Sequence, residues 1–92
     1  MKSIVQKEYC CLVCKTTRDL HKHHCFFGTA NRKKSEKHGL TVWLCLRHHN
    51  GSDYGVHFNK QLDKNIKQLA QRKFEETHSR EEFMREFGRN WL

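Results

Sequence analysis

Two short stretches, Cys11-Leu12-Val13-Cys14 and Cys45-Leu46-Arg47-His48, decide how this chain folds. Each pairs two metal-binding side chains across a two-residue spacer. That spacing lets a tight turn aim both at one tetrahedral Zn²⁺, with bonds of about 2.3 Å to sulfur and about 2.0 Å to nitrogen. Together the pairs close a Cys₃His site. Thirty residues, 15–44, separate them, against roughly 12 in a C₂H₂ finger, so the metal is expected to clamp the base of an inserted structure. Cys10 adjoins Cys11 and His49 adjoins His48, and each is an alternative ligand. Cys25, between the pairs, has no evident partner and reads as a small buried hydrophobe.

The insert reads as a long-looped β-hairpin. Leu20 to Phe27 is extended, and Gly28-Thr29-Ala30-Asn31 breaks it. Arg32-Lys33-Lys34-Ser35-Glu36-Lys37 is a charged loop or short helical turn, and Thr41-Val42-Trp43-Leu44 is rich in strand formers. Cys45 to Asn50 turns into a short helix, followed by a loop over Gly51-Ser52-Asp53-Tyr54-Gly55. Phe58, Leu62, Ile66, Leu69 and Phe74 recur at intervals near three and four, which predicts an amphipathic helix over Asn59 to Thr77. Ser79 with Glu82 three residues later is a capping box for a last helix carrying Phe83, Met84 and Phe87, with Trp91 and Leu92 folding back on it. Residues 1–9 are polar and expected to be loosely held, and Trp43 and Phe58 are expected in the core in preference to serving as base-stacking platforms. The fold class is α+β, a single domain over 1–92. Its zinc-stapled core runs from about 10 to 58, with helical support from about 59 to 92.

Composition agrees with a stapled domain. In 92 residues, 36% hydrophobic, apolar burial at about 25 cal/mol per Å² barely offsets about 1.5 kcal/mol of ordering entropy per residue. Five cysteines, an odd number, point to metal ligation over a disulfide framework. No apolar run approaches the roughly 18 residues of a membrane span, and the N-terminus lacks an apolar signal core, so a cytoplasmic protein without membrane contact is expected. The net charge is +8, of which residues 1–50 hold +7 (ten Lys/Arg against three Asp/Glu). The basic excess coincides with the metal ligands and points to a polyanion, because phosphate neutralisation releases counterions.

His23, His24, His49 and His57 are surplus to the clamp. On a strand His21, His23 and Cys25 share one face, and Lys22, His24 and Phe26 the other. A neutral imidazole can ligate a divalent cation or take a proton from water, and phosphodiester hydrolysis needs both.

The Cys pairs, the His23-His24 doublet, and a strand running into Leu44-Cys45-x-x-His48-His49 resemble the HNH endonucleases of the ββα-metal superfamily. The resemblance covers residues 10 to about 58. Within the superfamily it is nearest to small phage-borne HNH proteins and the phage recombination enhancement function nucleases. It implies a metal-dependent DNA endonuclease in recombination or DNA processing, in the host cytoplasm if phage-encoded. In that pattern Cys11, Cys14, Cys45 and His48 hold a structural Zn²⁺, and His24 is the general base. His23 and His49 ligate the catalytic cation, with His57 joining or replacing His49, and the cation is Mg²⁺ or another divalent ion. Arg32, Lys33, Lys34 and Lys37 draw in DNA phosphates. A recombinase or terminase component is the implied protein partner, and oligomeric state is left open. One position departs from the pattern, since Leu40 stands where the family carries the Asn that orients the base. Competing readings are a non-catalytic zinc module that binds DNA and an adaptor whose helices dock a recombination or packaging protein.

Overall fold

The fold is set by where a polar insert finds partners for its backbone. The computed structural model describes residues 2–50, 55–57 and 59–92. In chain order they form strand β1 (Leu20–His24), helix α1 (Thr29–His38), strand β2 (Thr41–Cys45), and helices α2 (Leu46–Asn50), α3 (Lys60–Phe74) and α4 (Arg80–Phe87). The strands pair antiparallel, with Leu20 opposite Cys45, Lys22 opposite Trp43 and His24 opposite Thr41. The result is a small α+β fold in which α2 leaves the end of the hairpin that carries Cys45.

Two expectations change here. Arg32 to Lys37, read as a loop or short turn, belongs to the ten-residue helix α1. Its C-terminus is closed by Gly39 in the left-handed region (φ 70°), whose N–H donates back to the last turn. Its one buried side chain is Ser35, whose hydroxyl donates to the Phe26 carbonyl at 2.8 Å and accepts from the Phe26 N–H at 3.1 Å. With the Phe26 backbone bound to Ser35, β1 ends at His24 and does not run to Phe27. The Cys25 N–H is taken by the Leu40 carbonyl at 2.9 Å.

The second change concerns residues 2–9, which are not loosely held. Ile4 N–H donates to the Gly39 carbonyl at 2.8 Å, and the Ser3 hydroxyl donates to the Thr41 carbonyl. Gln6 is buried: its Oε1 accepts from Trp43 N–H at 2.8 Å, while its Nε2 donates to the Cys10 carbonyl at 2.7 Å. The edge of β2 would otherwise present open backbone groups, and the polar composition of this segment supplies their partners.

Val42 and Leu44 turn one face of β2 into the core beside Leu40 and Phe26. Phe26 also reaches an aromatic cluster under the C-terminal helices, with ring centroids 4.6 Å from Phe87 and 5.3 Å from Phe83. Both helices start as their sequences predict. The Asn59 side chain caps α3 through Leu62 N–H at 3.0 Å, and Ser79 with Glu82 forms the capping box of α4. Trp91 folds back onto α3, its N–H donating to Gln71 Oε1 at 2.8 Å and its carbonyl accepting from Gln68 at 2.9 Å. Most of the expected 51–55 loop and Phe58 lie outside the described residues. Among the described residues no helix is long and apolar enough to cross a membrane.

Candidate functional site

Two clusters of metal-ligating side chains flank the end of the hairpin. The first is Cys11, Cys14, Cys45 and His48, whose ligand atoms all lie within 4.8 Å of one another. The Cys11 turn is closed by Lys15 N–H to the Cys11 carbonyl at 2.9 Å, with Lys15 itself at φ 67°. Cys45 is the last residue of β2, and His48 follows within the first turn of α2. The separations are 3.8 Å for Cys14 Sγ to Cys45 Sγ, 3.2 Å for Cys45 Sγ to His48 Nδ1 and 3.7 Å for Cys11 Sγ to His48 Nδ1. A tetrahedron with zinc bond lengths has edges of about 3.8 Å between sulfurs and about 3.6 Å between sulfur and nitrogen. The cluster therefore fits a tetrahedral metal such as zinc.

The local electrostatics lead the same way. Burial raises the Cys11 thiol, but backbone groups of Cys14, Cys45 and Val13 outweigh it and bring Cys11 down to about 6. Burial and the neighbouring thiols push Cys45 up. The thiols compete for one negative charge, and a divalent cation removes that competition by ionising its ligands. Of the alternative ligands, Cys10 lies 4.0 Å from Gln6 Nε2 and His49 belongs to the second cluster. Burial drives the Cys25 thiol far upward, in keeping with a small core residue.

The second cluster is His23, His49 and His57. The alternation of β1 sends His21 and His23 toward α2 and His24 toward α1. His23 is 2% exposed, and its Nε2 has no hydrogen-bond partner among the described residues. Burial, reinforced by the positive charges of His49, His57, His24 and Lys67, lowers His23 to about 3. It is therefore a neutral imidazole at physiological pH. Burial, then His57 and His21, also lowers His49. His49 bridges the group, with Nδ1 3.1 Å from His21 Nδ1 and Nε2 3.3 Å from His57 Nε2. A hydrogen bond at one ring nitrogen fixes the tautomer and leaves a lone pair on the other. Two nitrogens sharing an ion at about 2.0–2.1 Å sit roughly 2.9–3.4 Å apart, so the spacing fits. An unpaired buried nitrogen costs about 1–3 kcal/mol, and a cation would relieve that cost.

His24, the expected base, is half-buried, and its Nε2 lies 2.9 Å from Glu36 Oε2 on α1. The other oxygen of Glu36 accepts from Lys22 Nζ at 2.8 Å. Hydrogen bonds from Lys22 and His24 lower the Glu36 carboxyl to about 2, so it is ionised at any working pH. His23, His24, His49, His57, Phe27 and Arg32 line a cleft of about 250 Å³.

The expected phosphate-binding residues part company. Arg32 lines the histidine cleft, and with Lys33 it lines a broader hollow of about 920 Å³ beside it. Lys34 turns away, its Nζ donating to the Glu86 carbonyl of α4 at 2.6 Å, so it serves as a tie between helices. Lys37 is exposed on the last turn of α1. Leu40 is fully buried and contributes its backbone carbonyl, not a polar side chain, to the residue after His24.

Sequence reasoning passed over Glu36, His21 and Lys67. Glu36 was legible as the only acid in the basic stretch 29–38. Lys67 is buried, its Nζ 2.8 Å from Asp63 and 4.4 Å from the centre of the Phe27 ring. No protein-family model, curated protein or solved structure gives a significant match to this chain.

Proposed function

We propose that this protein is a DNA endonuclease of the HNH type, hydrolysing phosphodiester bonds with one divalent cation and a histidine base, in phage- or prophage-associated recombination or DNA processing. The observation that carries the reading is the buried, unpaired Nε2 of His23. It converges with His49 and His57 on a cleft that His24 and Arg32 also line, beside a separate Cys₃His cluster. The order β1, β2, α2, with the histidine doublet on the first strand and His49 on the helix, supports a ββα-metal arrangement.

Cys11, Cys14, Cys45 and His48 would hold the structural zinc, and His23, His49 and His57 the second cation. The chemistry a divalent cation supplies there is neutralisation of charge on the phosphate and the leaving 3′ oxygen. Three imidazoles suit zinc, nickel, copper or iron better than magnesium, so within "Mg²⁺ or another divalent ion" the donor set favours the latter. The Glu36 carboxylate accepts a hydrogen bond from His24 Nε2–H, which leaves the Nδ1 lone pair to take a proton from water. Glu36 thereby does the orienting that the family assigns to the Asn replaced here by Leu40. Arg32 offers its guanidinium to the phosphate entering the cleft. A recombinase or terminase component is the protein partner in this reading.

A second reading draws on the buried Leu40: a zinc module that binds DNA without cutting it, with the three histidines as a second staple. Plasmid cleavage across Mn²⁺, Ni²⁺, Zn²⁺ and Mg²⁺ separates the two. The nuclease reading expects divalent-dependent nicking that falls about 10²- to 10⁴-fold in His24→Ala while DNA binding is kept. Binding without nicking under any of these ions would leave only the staple.

A further inference from the structure

The outer face of the hairpin continues beyond His24. Lys22 and His24 stand two residues apart on one side of β1, and Trp43 lies directly opposite Lys22 on β2, so the three share that face. Beyond them the N-terminal segment, pinned to the edge of β2, walls a groove of about 750 Å³ lined by Lys2, Lys7, Gln6, Thr41, Lys22 and Trp43. Lys22 lines this groove and the histidine cleft alike, so the two lie side by side at that residue. Trp43 is half-buried, its ring in a T-shaped contact with Tyr9 at 4.6 Å between centroids, and it is one of the residues that border the groove. Lys2 and Lys7 are exposed, and Lys22 shares its charge with Glu36.

We propose that this groove binds a single polynucleotide strand, with Lys2 and Lys7 on its phosphates and an unpaired base stacked on Trp43, as the extension of a strand whose phosphate enters the histidine cleft. The assignment to a single strand rests on the pairing of cations with an aromatic ring. A π-face engages bases only where they are unpaired, and a duplex would offer the groove phosphates alone. The proposal deepens the nuclease reading by naming its substrate class.

The test is fluorescence anisotropy with zinc-loaded full chain, no other divalent ion added, and three probes of equal length: oligo(dT), an abasic oligonucleotide with the same phosphates, and a duplex. Trp43→Leu keeps the apolar bulk and removes the π-face. It is expected to weaken oligo(dT) about 5- to 150-fold and to leave the abasic strand unchanged. Lys2→Gln/Lys7→Gln is expected to weaken both strands, roughly 25-fold at 0.1 M salt, and to flatten the salt slope by about 1.4. Equal losses on the two strands in Trp43→Leu, or duplex binding as tight as oligo(dT), would overturn the groove. Base-dependent binding by a chain that cuts nothing would uphold the groove and end the nuclease reading. Cleavage without base-dependent binding would do the reverse.

Discussion

Stripping the Cys₃His cluster of its metal should unfold the hairpin while leaving part of the helical unit. The ligands Cys14 and Cys45 bracket 30 residues, and the four ligand atoms lie within 4.8 Å. A cross-link closing a loop of that length removes about 4 kcal/mol of unfolded-chain entropy by the covalent relation. A domain of 92 residues, at roughly 0.05–0.15 kcal/mol each, has about 5–14 kcal/mol in total. Zinc-finger peptides gain roughly 10–16 kcal/mol from their metal, so 4 is a lower figure. The assay is urea denaturation followed by far-UV circular dichroism under reducing conditions, with and without a chelator, together with hydrogen exchange at the β1 and β2 amides. The expected result is loss of at least about 4 kcal/mol, collapse of protection in both strands, and residual helicity from α3 and α4, whose Phe74, Phe83 and Phe87 rings pack directly on one another. Cys14→Ser, which keeps three ligands, should fall between, and Cys25→Ala should keep full zinc stoichiometry. A chelated protein with the midpoint and slope of the zinc form would refute the reasoning.

Other perturbations address the parts that aim the site. Glu36→Gln should lower kcat for cleavage with little change in KM, because His24 Nε2 keeps an acceptor but loses the charged one; an unchanged kcat would deny Glu36 its orienting part. The Glu36 carboxyl carbon, observed by NMR, should not move between pH 7 and pH 4.5, where a free glutamate is half protonated, given hydrogen bonds that lower it to about 2. A midpoint near 4.5 would mean the contacts with Lys22 and His24 do not form in solution. Ser35→Ala strands the buried N–H and carbonyl of Phe26, costing about 2–4 kcal/mol, and a melting temperature lowered by less than about 5 °C would contradict that. Gly39→Ala combines a left-handed φ of 70° with a Cβ 2.5 Å from the Lys2 carbonyl, so it should cost at least about 1–2 kcal/mol and speed exchange at the Ile4 amide.

The elements visible in the sequence are those written in apolar spacing or cap chemistry. The two C-x-x pairs meet, Thr41 to Leu44 is a strand, the amphipathic helix begins at Asn59, and Ser79 with Glu82 caps the last helix as their spacing announces. Helix α1 was hidden because its only apolar residue is Ala30, so no stripe marks its period; it is held by Gly39 at one end and by the Ser35 hydroxyl inside. The N-terminal edge was hidden for a similar reason. Gln6 reads as solvent-facing, and only the open edge of β2 makes its amide a structural group. At the site, His23, His24, His49 and His57 were legible as a surplus of imidazoles, and the structure brings them to one cleft. The Glu36 contact was not legible, because it depends on α1 being a helix that carries residue 36 across β1. Lys34 misled for the same reason, since a loop would leave it free and the helix turns it toward Glu86.

Metal counting tests the two-site account most directly. Calorimetry on the reduced, folded chain should resolve one tight zinc equivalent and one weaker divalent equivalent. His23→Ala should abolish the second alone, and Cys11→Ala/Cys14→Ala should abolish the first together with the fold. A single equivalent that persists unchanged in His23→Ala would contradict the account.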